Sequence, residues 1–225
     1  MTPLILWDVD QTLLYTGGAG SLAMRRAFEQ LYGVEDGFRR VEFSGRTDWS
    51  ILKTAMEQHG LLNGGDGFER ELARFQKAYY LLLPKTLVEI QGRVMPGVPE
   101  LLSALAERDV PQGLATGNFR KAAFMKLNYF GLDGYLSEGG FGDDAEERAD
   151  LVAVAIERVS NGTEPDIVWV IGDTPLDIEA AHANGALALG VATGQRSVDE
   201  LRADGADVTL EDLSDTAAAL AALLG

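Results

Sequence analysis

Apolar residues in this chain follow two rhythms that alternate along its length. Pro3 to Trp7 is a short apolar run that stops abruptly at Asp8, the pattern of a buried parallel strand. Gln112 to Ala115, Asp166 to Ile171 and Ala186 to Ala192 repeat it. Asp-Ile-Val-Trp-Val-Ile is the strongest of these runs, being rich in branched and aromatic residues. Between the runs the spacing becomes helical. Val98 to Arg108 sets Leu101, Leu102 and Leu105 on one side, a helical stretch runs from beyond Asn118 to Phe130, and Ala145 to Val159 places Leu151, Val152, Ala155, Ile156 and Val159 on one face. A helix is expected from near Pro175, where proline suits the first turn, and two more over Ser197 to Asp204 and Asp215 to Leu224. Strands alternating with helices predict an α/β fold, with a parallel sheet covered on both faces.

The stretch from about Thr16 to Pro84 has only the helical rhythm. Met24, Phe28, Leu31 and Tyr32 share one face; Ile51, Leu52, Ala55 and Met56 share another, with His59 at its polar edge. Phe68, Leu72, Phe75, Tyr79 and Leu82 keep the 3.6-residue period, and Pro84 is expected to end that helix. The pattern predicts a helical insertion over residues 16–85, between the first strand and a core formed by residues 1–15 and 90–225. Its joints fall near Tyr15-Thr16-Gly17-Gly18 and Met95-Pro96-Gly97, where turn-forming residues gather.

Composition narrows the chemistry. With 35 acidic and 19 basic side chains among 225 residues, the formal charge is −16, which disfavours nucleic acid or an anionic membrane surface as a partner. Cysteine is absent, so disulfides, thiolate metal sites and cysteine nucleophiles are excluded. Two histidines, His59 and His182, leave little room for a His-rich metal site or a Ser-His-Asp triad. No apolar stretch reaches spanning length and no basic-then-apolar leader is present, so a cytoplasmic protein is expected.

In an open parallel sheet, ligands bind beyond the carboxyl ends of the strands. Asp8-Val9-Asp10-Gln11-Thr12, Thr116-Gly117-Asn118 and Gly172-Asp173 with Asp177 all fall at such ends, and a lysine follows in the next helix. Each piece alone fits an ordinary turn or helix cap. Together they bring carboxylates into one crevice, where they need a compensating ion. Few hard oxygen ligands beside a phosphate suit Mg²⁺, so the set looks like a magnesium site with an anion pocket beside it.

These segments resemble the haloacid dehalogenase-like hydrolase superfamily, in its phosphatase branch with a helical cap inserted after the first motif. Asp8 to Thr12 is similar to the first motif, Thr116 to Asn118 to the second and Gly172 to Asp177 to the fourth, while Gly45-Arg46-Thr47-Asp48 resembles a cap loop of phosphoglycolate-phosphatase-like members. The resemblance implies a Rossmann-like core and a small phosphorylated metabolite as substrate. It implies that Asp8 attacks phosphorus and that Asp10 protonates the leaving alkoxide and then deprotonates water. Mg²⁺ would be held by Asp8, the Asp10 carbonyl and Asp173. Thr116, Gly117 and Asn118 would hold phosphate oxygens, Arg46 would meet an anionic substrate group, and Thr12 and Asp177 would support the site. Asp10 favours phosphoryl over halide chemistry, since a dehalogenase needs no acid there. Phosphonate hydrolase, phosphomutase and a phosphate-binding scaffold without turnover remain as other outcomes.

The sequence departs from the family pattern twice. Gln11 stands where glycine is usual, so a side chain would crowd the loop that leads into the insertion. The Lys-Pro pair of the third motif is missing after a strand expected near Tyr135-Leu136, and Phe141-Gly142-Asp143-Asp144-Ala145 stands there instead. The motif's lysine is then sought in the helix beyond Asn118. Lys126 falls within the stripe of Phe119, Ala123, Leu127 and Phe130, whereas Lys121 points away. Lys126 is therefore expected to share its charge with Asp8, Asp177 and the bound phosphate.

Overall fold

The strand-like runs pair with one another and the helical runs pack over them. A computed structural model describes residues 3–62 and 67–225; residues 1–2 of the expected core and 63–66 of the expected insertion lie outside it. In chain order the elements are β1 (Pro3–Trp7), β2 (Leu14–Tyr15), α1 (Ala19–Tyr32), α2 (Asp48–Gln58), α3 (Gly67–Glu89), β3 (Arg93–Val94), α4 (Val98–Ala106) and β4 (Gln112–Ala115). They continue with α5 (Arg120–Tyr129), β5 (Gly139–Gly140), α6 (Arg148–Ser160), β6 (Ile167–Gly172), α7 (Pro175–Ala183), β7 (Leu187–Val191), α8 (Val198–Ala203), β8 (Val208–Leu210) and α9 (Thr216–Leu224).

Six strands form one sheet in the order β5-β4-β1-β6-β7-β8, and every pair is parallel. The chain fills one side of β1 with β4 and β5, then crosses to build the other side from β6 onward. This reversal leaves a crevice beyond the carboxyl ends of β1, β4 and β6, where such sheets bind ligands. Backbone bonds keep those ends level: Asp8 N–H donates to the Ile171 carbonyl at 2.9 Å and Thr116 N–H to that of Gly140 at 3.1 Å.

Each sheet face has its own core. Ile5, Trp7 and Ile171 pack with α4, α5 and α9 through Leu101, Leu105, Ala123, Leu127 and Leu223. Leu4, Leu6 and Val170 face the other way, against Leu151, Val152 and Ala155 of α6 and Ile178 of α7. A third apolar cluster joins α1, α2 and α3 through Phe28, Leu52, Phe75 and Tyr79, and takes in Phe119 and Ala122 of the core. Among the described residues, no helix is long and apolar enough to cross a membrane.

Three local expectations change. Pro84 does not end α3, which continues to Glu89. Leu83, Thr86 and Leu87 are buried on the same face as Phe75 and Tyr79, and the Thr86 hydroxyl donates to the Leu83 carbonyl at 3.0 Å. That burial offsets the roughly 3 kcal/mol a helical proline costs. The helix expected from Ala145 begins only at Arg148. The strand expected near Tyr135-Leu136 lies instead at Gly139–Gly140, because α6 crosses there backbone to backbone. A Cβ on Gly140 would stand 1.8 Å from the Leu151 carbonyl oxygen.

Gly140→Ala is therefore expected to destabilise the fold by about 3 kcal/mol, at the severe end of overpacking, since the obstacle is main chain rather than a movable side chain. Urea unfolding measures this directly; an unchanged midpoint would contradict the contact.

Candidate active site

The loops that follow β1, β4 and β6, Lys126 of α5 and the start of α6 border a cavity of about 330 Å³. Asp8, Asp10, Gly117, Asn118, Lys126, Arg148 and Asp173 line it from the sheet side; Met24, Asp48 and Tyr79 of the inserted helices line it with Ser44 and Arg46 of the loop before α2.

Asp8 is buried at the end of β1, beside Arg148, whose guanidinium reaches it at 2.9 Å. The same Arg148 nitrogen meets Asp177 at 2.5 Å, and the other terminal nitrogen donates to the Gly45 carbonyl at 3.0 Å. Asp177 is held in turn by the N–H and hydroxyl of Thr174, at 3.0 and 2.7 Å, in a capping box at the start of α7. Asp10 faces the opposite way. Its carboxylate receives Lys126 Nζ at 2.5 Å, the Asn118 amide at 2.8 Å and the Thr16 hydroxyl at 3.2 Å. Lys126 is only 3% exposed and also donates to Asn118 Oδ1 at 2.5 Å. Thr116 is fully buried; its hydroxyl bonds Asp8 and accepts the Asn118 amide at 2.8 Å.

These surroundings drive the two N-terminal carboxyls apart. Burial pushes Asp8 up to about 6 against the pull of Arg148, with Asp177 and Asp10 adding to the rise. Burial also acts on Asp10, but the Lys126 charge and the bonds from Lys126, Asn118 and Thr16 outweigh it and hold Asp10 below its usual value. Asp173 is pushed up to about 9 by burial and by the charges of Asp177 and Asp8. Carboxylates so crowded call for a cation. Asp8, Asp173 and Asp177 bring oxygen atoms within 4.8 Å of one another. Asp8 and Asp173 line the cavity and Asp177 does not, so Asp8 and Asp173 are the carboxylates that fit a hard divalent ion there.

The structure thus gathers Asp8, Asp10, Thr116, Gly117, Asn118, Lys126, Asp173 and Asp177 around one crevice. Arg46 lies at its edge, exposed, with no ion pair among the described residues. Thr12 is fully buried, and its hydroxyl has no hydrogen-bond partner among the described residues. Gln11 takes the left-handed conformation, φ 68°. Its N–H reaches the Leu14 carbonyl at 2.6 Å, its carbonyl accepts the Thr193 hydroxyl at 2.5 Å, and the residue lines the cavity. The loop expected to be crowded there is accommodated.

One expectation is corrected. Lys126 does not sit between Asp8 and Asp177; Arg148 does, while Lys126 serves Asp10 and Asn118. The helix stripe places Lys126 in the interior but does not say which carboxylate it meets. Arg148 carried a signal of its own: a basic residue in the first turn of a helix opposes the macrodipole, which is tolerable where buried carboxylates surround it.

A family model described as haloacid dehalogenase-like hydrolase matches residues 5–191. A protein of Dickeya dadantii named "Probable phosphatase IndB" is 27% identical over 100% of this chain and 96% of its own. A phosphoglycolate phosphatase of Synechococcus elongatus is 29% identical over 98% of each. The crystal structure of a hydrolase from Pseudomonas syringae superposes with a TM-score of 0.74 at 22% identity, covering both chains completely.

The raised carboxyls fix how metal and pH interact. Relative to unfolded carboxyls near about 4, stability from Asp8 and Asp173 is fully present in acid and is lost as pH rises through about 6 and about 9. A divalent ion replaces those protons, so its stabilisation is expected to grow over the same window, to about 2.7 kcal/mol at a hundredfold excess over Kd. Melting temperatures with and without Mg²⁺ across this range check it; a gap independent of pH would contradict it.

Proposed function

The chain belongs to the haloacid dehalogenase-like hydrolase family, and on that premise we propose that it is a Mg²⁺-dependent phosphatase acting on small phosphate monoesters through an aspartyl-phosphate on Asp8. The observation that carries this is the separation of its first two aspartates: Asp8 is held by Arg148 and Asp10 by Lys126, on two sides of one cavity.

Asp8 attacks phosphorus and the bond to the substrate oxygen breaks. Asp10 gives that oxygen its proton, then takes one from the water that attacks the aspartyl-phosphate, and phosphate leaves as Asp8 is regenerated. With its carboxyl held low, Asp10 rests as a base. A phosphate dianion arriving beside it opposes the Lys126 charge and raises its proton affinity, so the proton it gives in the acid step is one taken from solvent or from the hydrolytic water of the preceding turnover. The Thr116 hydroxyl and the amides of the Gly117-Asn118 turn provide donors for phosphate oxygens. The Asp8 and Asp173 carboxylates and the Asp10 carbonyl would hold Mg²⁺, which lets an anionic nucleophile approach an anionic phosphate. Arg46, uncommitted at the edge of the cavity, suits a second anionic group on the substrate. The phosphoglycolate phosphatase relative supports that, since phosphoglycolate carries a carboxylate beside its phosphate. The inserted helices act as a cap over the site, their residues forming part of its wall. The net charge of −16 suits partners other than nucleic acid.

Asp8→Asn should abolish phosphoenzyme formation and turnover with every ester. Asp10→Asn should lose about 10²–10⁴-fold on an alkyl phosphate and much less on an aryl phosphate, whose leaving group needs little protonation. Trapping of labelled phosphate on the protein, with steady-state rates on both esters, tests the pair; Asp8→Asn at near-wild-type rates would sink the covalent route.

The two lysines of α5 give a second comparison. Lys121 lies over the Tyr80 ring, 5.1 Å from its centre, and touches neither aspartate. Lys126→Met should lower turnover about 100-fold while Lys121→Met changes it little, in proteins whose folding is verified by circular dichroism. The reverse ranking would remove Lys126 from the site.

A further inference from the structure

The inserted helices do more than wall the cavity. The segment Gly45–Asp48 is wedged among the loops of the sheet. Its Gly45 carbonyl accepts from Arg148 at 3.0 Å, the Thr47 hydroxyl donates to the Glu146 carbonyl at 3.0 Å, and Arg46 main chain lies against Gly117. A Cβ on Gly117 would stand 2.3 Å from the Arg46 carbonyl oxygen, so only glycine admits this approach.

Asp48 then grips the same loop at two points. Its backbone N–H, a free donor in the first turn of α2, gives a 2.7 Å bond to the Gly117 carbonyl. Its carboxylate accepts the Phe119 N–H at 2.9 Å. The two bonds fix the peptide groups on either side of Asn118, whose own carbonyl is taken by Gly142 N–H at 2.8 Å. With its backbone immobilised, the Asn118 side chain has one place to go: its amide donates to Asp10 and its oxygen accepts from Lys126. Asp48 itself touches neither.

We propose that Asp48 is a positioning residue that couples seating of the inserted helices to the orientation of Asp10, by clamping the backbone on both sides of Asn118. The inference rests on Asp10 being the acid and base of the reaction. With the insertion seated, Asn118 holds Asp10 and Lys126 together. With it lifted, the Phe119 amide loses its acceptor, the loop relaxes and Asp10 loses one of its three donors. Proton transfer is thereby confined to the closed molecule.

The test compares Asp48→Ala, Asp48→Asn and Asp10→Asn at saturating Mg²⁺ on an alkyl and an aryl phosphate. Misplacement of a reacting group by an ångström can cost about 100-fold, so Asp48→Ala should lose roughly 10–100-fold in kcat on the alkyl ester, several-fold less on the aryl ester, with KM little changed. Burial pushes the Asp48 carboxyl up to about 7, so the neutral isostere Asp48→Asn is a close match and should restore most of the alkyl rate. Hydrogen exchange followed by NMR should show a faster Phe119 amide in Asp48→Ala and protection regained in Asp48→Asn. Should the alanine variant not fold, Asp48→Glu, which displaces the carboxylate by one methylene, is read on the same two esters with the same expectation. Equal losses on both esters, no rescue by asparagine, or an unchanged Phe119 amide would overturn the proposal. If Asp10→Asn itself lost equally on both esters, the acid–base assignment would fall and this inference with it; a leaving-group dependence in Asp10→Asn but not in Asp48→Ala would overturn this inference alone.

Discussion

The site depends on neutralising carboxylates that the sheet forces together. Asp8 and Asp173 end neighbouring strands, and Asp177 follows one turn into α7. Withdrawing these groups from water without partners would cost several kcal/mol each. Two buried cations offset such costs, Arg148 at Asp8 and Asp177 and Lys126 at the neighbouring Asp10, and they reach the crevice from opposite faces of the sheet. Lys126 rides on α5, whose Ala123 and Leu127 pack in the core around Trp7. Arg148 opens α6, whose Leu151 and Val152 pack against Leu4 and Leu6. Apolar packing on each face therefore determines where positive charge stands at the strand ends.

The two cations are not equivalent. The fork of Arg148 matches several acceptors at once and joins Asp8, Asp177 and the Gly45 carbonyl. Lys126 is a point charge among Asp10 and Asn118. The balance differs accordingly: burial prevails at Asp8, whose carboxyl rises, while pairing prevails at Asp10, whose carboxyl falls. Two residues apart in sequence, the two carboxyls shift in opposite directions.

Much of this was legible in the chain. Four apolar runs ending in polar residues located β1, β4, β6 and β7, and the 3.6-residue period located most helices, because burial on one or both faces leaves a periodic mark. Elements of two or three residues left none. Gly139–Gly140 is a strand chosen for closeness to α6 rather than for apolar surface, and Val208–Leu210 is a short edge strand. The continuation of α3 through Pro84 rested on tertiary burial that local propensity does not contain. At the site, the aspartates and the Thr116-Gly117-Asn118 turn were visible as residues that end strands. The partners of Arg148 and Asp48 were not, since each acts on residues remote in sequence: Arg148 on Asp8 and Gly45, Asp48 on Gly117 and Phe119. Periodicity gives the inward face of Lys126, not the identity of what it meets.

Where the chain departs from the sheet and returns to it, Leu14–Tyr15 and Arg93–Val94 pair antiparallel, with the Arg93 guanidinium stacked 4.6 Å over the Tyr15 ring. Paired strands lie about 4.8 Å apart. To the α/β core, everything between Tyr15 and Arg93 is consequently the loop of a hairpin. A hairpin accepts a turn of a few residues as readily as a long excursion, so the backbone of the core places almost no limit on the length or kind of segment carried there. Exchange of that segment between lineages would alter what is admitted to the crevice while leaving the strand ends, and the chemistry they hold, undisturbed.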